Sequence, residues 1–366
     1  MHHAYLHIPF CARRCSYCDF AIAVRKVVPS DRYVHAVLAE RDLREQREGW
    51  GSPPLETLYL GGGTPSRLAS DAVAPLVGAF RLARGAEVTL EANPDDVTPA
   101  AARAWHMAGI TRVSLGVQSF DDAVLRWMHR THDAAHARRA VATLREAGIA
   151  EISLDLIFGL PGDLTRDFAY DLDAALALEP DHLSVYGLSV EPRTPLARWV
   201  DRGATRPAPD ERYADEFLLA HARLTAAGFE HYEVSNYATP GRRARHNSAY
   251  WSGAAYVGLG PAAHGFDGES RRWNVGQWVE YERRLAMGED PLEGIERLTD
   301  SERALESLYL GLRTAEGAVT TGRGDLVPAA VERAVSAGWL EARGDRLVAT
   351  PDGWLRLDAV LPVLTT

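Results

Sequence analysis

Cys11, Cys15 and Cys18 are the only cysteines among 366 residues, and all three fall in one short stretch near the start of the chain. An odd set of thiols cannot close a disulfide framework, so metal or redox chemistry is the better reading. The spacing Cys-x3-Cys-x2-Cys lets a single loop wrap three thiolates around one face of an iron–sulfur cube. Standard electron-transfer clusters take four cysteines, so a set of three leaves one iron to a distant ligand or open to an exogenous molecule. Three cysteines with a histidine also make a common structural zinc site, and His7 is one of several histidines within reach of that pattern. On spacing alone both metals remain open.

Three further groups could work beside such a centre. The run Gly61-Gly62-Gly63-Thr64-Pro65 follows a β-rich segment, and glycines there let backbone approach a ligand with no Cβ in the way. Glu91, Gln118 and Asp155 each fall late in an expected strand, where barrel sites form. In HNSAYW, residues 246–251, an imidazole stands among aromatic side chains, a combination that suits haem; a satisfied core histidine is the plain alternative.

These residues need elements to position them. Apolar, β-rich runs at Ala4–Ile8, Thr57–Leu60, Glu87–Ala92, Arg112–Val117, Ile152–Phe158 and His182–Leu188 read as strands. Helical spacing fills the intervals at Ser30–Glu48, Asp71–Leu82, Pro99–Met107, Ala134–Ala147 and Leu164–Leu178. Six alternations are too few for a closed eight-stranded barrel and predict an α/β fold with an open, partial (β/α)6 barrel. After a helical run at Asp210–Ala227 the pattern loosens. From about Pro291, short helices and the strand candidates Trp339–Ala342 and Arg346–Ala349, joined through Gly344-Asp345, predict a small C-terminal α+β domain of winged-helix type. The expected division is a barrel over 1–240, a connecting segment over 241–290, and the C-terminal domain over 291–366.

Composition bounds the rest. Apolar residues at 46% and charged residues at 25% are ordinary for a soluble globular chain, and no apolar run approaches a membrane span. A net charge of −10 argues against general attraction to nucleic acid, and the start MHHAYLHIPF is too short and polar for a signal peptide. A cytoplasmic location is expected.

The cysteine spacing, with Tyr17 just before the third thiol, resembles the radical S-adenosylmethionine (SAM) superfamily, in which a [4Fe–4S] cluster chelates SAM through its open iron and reduction yields a 5′-deoxyadenosyl radical. AYLHIPFC, YLGGGTPS, LEANPDD, SLGVQSF, ISLDLIFGLPG and YVGLGPAAHG, in this order, resemble the coproporphyrinogen III oxidase-like branch over essentially the whole chain. The resemblance implies that Cys11, Cys15 and Cys18 bind the cluster and that Tyr5, Tyr17, Gly62 and Glu91 attend the SAM on it. It also implies a further set of SAM-site positions at Gly63, Thr64, Gln118, Arg130, Asp155 and Ser189. Arg130 could equally pair with a surface carboxylate.

HN-x2-YW is the signature associated with haem in the haem chaperone subgroup of that branch, which makes His246 a candidate haem contact. The oxidase carries one more cysteine two residues after the third, where this chain has Phe20. The expectation is therefore a carrier that binds haem and delivers it to acceptor proteins, those of the respiratory chain among them, with an electron donor for the cluster. Oxidative decarboxylation of coproporphyrinogen III, or of a related tetrapyrrole, is the alternative. No residue is assigned a catalytic role, and a homodimer is left open.

Overall fold

The computed structural model describes residues 1–50 and 53–365. Six strands alternate with five helices in the first half: β1 (His3–Ile8), α1 (Ser30–Glu48), β2 (Leu55–Gly62), α2 (Val73–Gly78), β3 (Leu82–Ala92), α3 (Pro99–Met107), β4 (Arg112–Gln118), α4 (Ala134–Glu146), β5 (Glu151–Phe158), α5 (Phe168–Leu176) and β6 (His182–Gly187). Local chemistry sets the helix starts. Thr98 caps α3 by accepting from the Ala101 amide with Pro99 in the first turn, while Asp133 and Asp167 cap α4 and α5. Gly49, in the left-handed region, closes α1.

The six strands run parallel, in sequence order, within one sheet. Their side chains divide with a period of two. Leu6, Ile8, Leu58, Leu60, Val88, Leu90, Val113, Leu115, Ile152, Leu154 and Leu183 are fully or almost fully buried in the core shared with the helices. The alternate positions, Tyr5, Thr57, Tyr59, Glu87, Glu91, Ser114 and Asp155 among them, carry polar groups on the other face. A curved sheet that lines its concave side with hydroxyls and carboxyls is built around a polar ligand space.

The sheet extends further than six strands. After α6 (Asp210–Ala226) come β7 (Glu230–Glu233) and β8 (Asn236–Ala238): β8 adds antiparallel to β6, and β7 adds antiparallel to β8 at the sheet's edge. Following α7 (Arg245–Trp251), β9 (Tyr256–Leu259) pairs parallel with β1 on its free side. Next come β10 (His264–Phe266), β11 (Ser270–Asn274), α8 (Trp278–Ala286) and β12 (Leu292–Arg297), whose strands continue the sheet antiparallel. Residues 241–290, expected to be a connecting segment, therefore supply a seventh parallel strand. Buried Glu40 on α1 holds it there, accepting from the Gly260 amide at 2.8 Å, Tyr281 Oη at 2.6 Å and Asn274 Nδ2 at 2.6 Å.

The C-terminal unit comprises α9 (Asp300–Gly311), β13 (Ala318–Val319), α10 (Pro328–Ser336), β14 (Leu340–Arg343), β15 (Arg346–Ala349), α11 (Pro351–Trp354) and α12 (Leu357–Leu364). Its three strands form an antiparallel sheet in the order β13-β15-β14, with Gly344 at φ 62° turning the hairpin. This is a winged-helix-like arrangement. It meets the barrel through the Val234 amide, bonded to the Arg313 carbonyl, and through Trp354, whose ring lies 4.4 Å from that of His231. Among the described residues no helix is long and apolar enough to cross a membrane.

Candidate cluster and cofactor site

At the C-terminal ends of β1–β6 lies a cavity of about 440 Å3. The loop carrying the three cysteines forms one wall. Its ends are tied by a short parallel pairing of Phe10–Cys11 with Ala23–Val24, closed by bonds from the Ala23 amide to the Pro9 carbonyl and from the Arg25 amide to the Cys11 carbonyl. Cys11, Cys15, Tyr17 and Cys18 line the cavity from this side; Gly62, Gly63, Thr64, Glu91, Gln118, Arg130, Asp155 and Ser189 line it from the strand ends. Among the described residues no three histidine, cysteine or acidic side chains gather as ligands of one ion would.

The polar groups are tightly placed. Thr64 Oγ1 donates to Cys11 Sγ at 3.3 Å and Arg130 Nη1 to Cys15 Sγ at 3.5 Å. Burial pushes the Cys11 thiol up and that of Cys18 up to about 11, so the thiolates need a local positive charge of the kind a metal supplies. Arg130 makes no surface ion pair: Nη2 reaches the Gly116 carbonyl at 2.8 Å and Asn93 Oδ1, while Nε is buried without a partner. Glu91 accepts from Tyr59 Oη at 2.7 Å and from the Gly62 amide at 3.0 Å, and burial raises its carboxyl to about 7. Asp155 accepts from Ser114 Oγ at 2.9 Å, and burial raises it to about 6. Gln118, at φ 71°, occupies the left-handed region that a side chain enters at a cost of roughly 1–3 kcal/mol, a strain that recurs at ligand sites. An orphaned guanidinium nitrogen, two raised carboxyls and a glycine-lined wall fit a cationic, zwitterionic cofactor.

The glycines also answer to packing. A Cβ on Gly62, where φ is 111°, would stand 2.6 Å from the His7 ring, and one on Gly63 would stand 2.7 Å from the Pro9 backbone. The turn after β2 thus nests against the exit of β1 into the cysteine loop. Because His7 Nε2 donates to the Ala21 carbonyl inside that loop at 3.0 Å, Gly62→Val is expected to lower SAM affinity and cluster content together. Iron assay and SAM titration of the same sample check this, and retention of full iron would limit the glycine to the cofactor.

Two candidates lie away from the cavity. Tyr5, expected at the SAM, stands one layer lower, its hydroxyl donating to His7 Nδ1 at 3.0 Å and its ring stacked on Tyr59 at 6.1 Å. His7 consequently has both ring nitrogens engaged, which removes it as a zinc ligand in this conformation. His246 is farther still. The helix α7 closes the opposite, N-terminal end of the barrel, with its Arg245 and His246 amides bonded to Glu87, and His246 is 1% exposed. Its Nδ1 is 2.7 Å from Thr57 Oγ1, its Nε2 2.8 Å from Tyr250 Oη, and its ring is stacked on Tyr59 at 5.0 Å. Burial pushes its pKa down to about 3, so the ring is neutral. Neither nitrogen faces outward to receive iron. Thr57, Glu87, Asn93 and Ser114 escaped the sequence reading, although the period of two placed Thr57 and Glu87 on the face of Tyr59 and Glu91.

An open barrel of six parallel strands with a three-cysteine loop at its C-terminal mouth defines a radical SAM protein, and the radical SAM superfamily model matches residues 5–175. The chain belongs to the heme chaperone HemW family. It is 40% identical to the heme chaperone HemW of Mycobacterium tuberculosis strain H37Rv over 98% of this chain and 94% of that one. It is 33% identical to the protein of that name from Escherichia coli K12, over 98% and 96%. The coproporphyrinogen III oxidase HemN of Escherichia coli shares the fold, with a TM-score of 0.80 at 21% identity over 100% of this chain and 90% of that one.

Proposed function

We propose that this protein is a haem chaperone: it binds haem, holds a [4Fe–4S] cluster and SAM in the barrel cavity, and passes haem to an acceptor protein. The observation that carries this reading is similarity along almost the whole chain to proteins named heme chaperones, joined to a cavity walled by three cysteines. Cys11, Cys15 and Cys18 hold the cluster, with Thr64 and Arg130 donating to the sulfurs. Tyr17, Gly62, Gly63 and Glu91 hold SAM, and Gln118, Arg130, Asp155 and Ser189 complete the polar wall. When bound and reduced, the cluster supplies an electron to SAM. An acceptor protein and an electron donor are the partners this activity calls for.

Anaerobic reconstitution, haem titration and transfer to an apo-acceptor test the carrier role. Wild-type protein given reductant, SAM and coproporphyrinogen III is expected to form no protoporphyrinogen, and its formation would overturn the assignment.

Glu91 gives the SAM site a pH dependence. With its carboxyl near 7, the side chain is mostly neutral below that pH and ionised above it. SAM carries a sulfonium, so its affinity is expected to rise by up to about tenfold between about pH 6 and pH 8. Asp155, raised to about 6, completes its ionisation at the lower end of this range. Glu91→Gln should flatten the profile, and an unchanged profile in that variant would remove Glu91 from the cofactor.

A further inference from the structure

The floor of the barrel, where α7 closes it, contains a second histidine. His3 opens β1, in register with Thr57 of β2 on one side and Tyr256 of β9 on the other. Its Nδ1 lies 2.9 Å from Thr57 Oγ1, the same hydroxyl that meets His246 Nδ1 at 2.7 Å. The rings of His3 and His246 stand edge to face at 6.4 Å. His3 is half-buried, and among the described residues its Nε2 has no hydrogen-bond partner. Around it Tyr250 and Tyr256 pack edge to face at 4.7 Å, and the half-exposed Arg245 guanidinium lies 3.8 Å from Glu56.

The three side chains form a relay with two proton arrangements. In one, His246 Nε2–H donates to Tyr250 Oη, Thr57 Oγ1–H donates to His246 Nδ1, and His3 Nδ1–H donates to Thr57 Oγ1. This leaves a bare lone pair on His3 Nε2. In the other every donor is reversed, and His3 Nε2 carries the proton. Metal-bound histidines almost always donate their second ring N–H to a fixed acceptor, which orients the ring and sets its tautomer. The first arrangement provides that for His3; the buried ring of His246 has no nitrogen to spare.

We propose that His3 is the imidazole this face presents to haem iron, through Nε2, and that Thr57 and His246 are positioning residues that hold its tautomer. This rests on the haem-chaperone reading. The iron–nitrogen bond forms from the Nε2 lone pair in place of an axial water or other weak ligand, and nothing is oxidised or reduced. Tyr250 and Tyr256 offer aromatic surface to the macrocycle.

The test is haemin titration of the full chain by Soret absorption, with circular dichroism and cluster iron recorded on each sample. His3→Ala is expected to shift the Soret band and weaken retention by about tenfold or more at unchanged iron content, and added imidazole is expected to restore the wild-type band. Thr57→Val should keep the wild-type band position and weaken affinity about tenfold. A wild-type spectrum and affinity in His3→Ala would overturn the assignment. So would loss of the band in His246→Ala with its retention in His3→Ala, which would place the iron on His246. A Soret band that stays at the position of free haemin with wild-type protein would instead overturn the carrier reading on which the assignment rests.

Discussion

Alanine at any one of Cys11, Cys15 or Cys18 is expected to abolish the cluster, taking reconstituted iron and sulfide from about four of each per chain to well under one. The chain has no other cysteine to substitute, and His7, the nearest histidine in sequence, is committed to Tyr5 and to the Ala21 carbonyl. The fold should survive. The loop is held by backbone pairing to residues 23–24, and the large apolar core lies on the other side of the sheet. Iron and sulfide assays with circular dichroism decide the matter, and a full complement of iron in any single variant would remove the central assignment. Thiol titration of the unloaded protein gives an independent check, since three reactive groups are expected in wild type and two in each variant.

Arg166→Ala is expected to cost about 3–5 kcal/mol of stability, the penalty for removing one partner of a buried ionic network. The guanidinium is fully buried, 3.3 Å from Asp171 and 3.1 Å from Glu216, and also donates to the Ile157 carbonyl at 2.7 Å. Both carboxylates have second tasks. Asp171 receives Ser119 Oγ and the Phe120 amide, in the turn after β4, while Glu216 receives the Gly159 amide, in the turn after β5. Without Arg166 the buried Asp171 carboxylate loses its cation and Glu216 keeps only Arg212 at 3.0 Å, so the loss is larger than that of one hydrogen bond. Arg166→Lys should recover only part, because one ammonium cannot reproduce the fork that reaches both acids. SAM affinity should fall as well, since the two turns border Gln118 and Ile157 on the cavity wall. Denaturant unfolding measures the change, and a loss below about 1 kcal/mol would show that this network does not hold the two turns.

Much of this organisation is legible in the sequence. The ranges Ser30–Glu48 and Pro99–Met107 appear unchanged as α1 and α3, because local signals bound them: Gly49 in the left-handed region ends the first, and the Thr98 cap with Pro99 starts the second. Asp71–Leu82 does not appear as one helix: α2 spans only Val73–Gly78, and Leu82 already belongs to β3, since Gly78 and the pairing of Leu82 with Leu55 end the helix early. The strand Tyr256–Leu259 was illegible for another reason. Its four residues include a glycine, and what makes them a strand is the vacant edge of β1 together with the grip of Glu40, both of them long-range facts. Among site residues, those on the cysteine loop and at strand ends announce themselves by type and position. His246 is ambiguous in the sequence, because an imidazole among aromatics has the same signature whether its nitrogens face solvent or, as here, a threonine and a tyrosine.

Tyr59 has one more consequence. Its ring lies against His246 at the floor, and its hydroxyl holds Glu91 at the mouth. The two ends of the barrel therefore share a single side chain. A ligand at either end that shifts this tyrosine changes affinity at the other, and reciprocity requires the same factor in both directions.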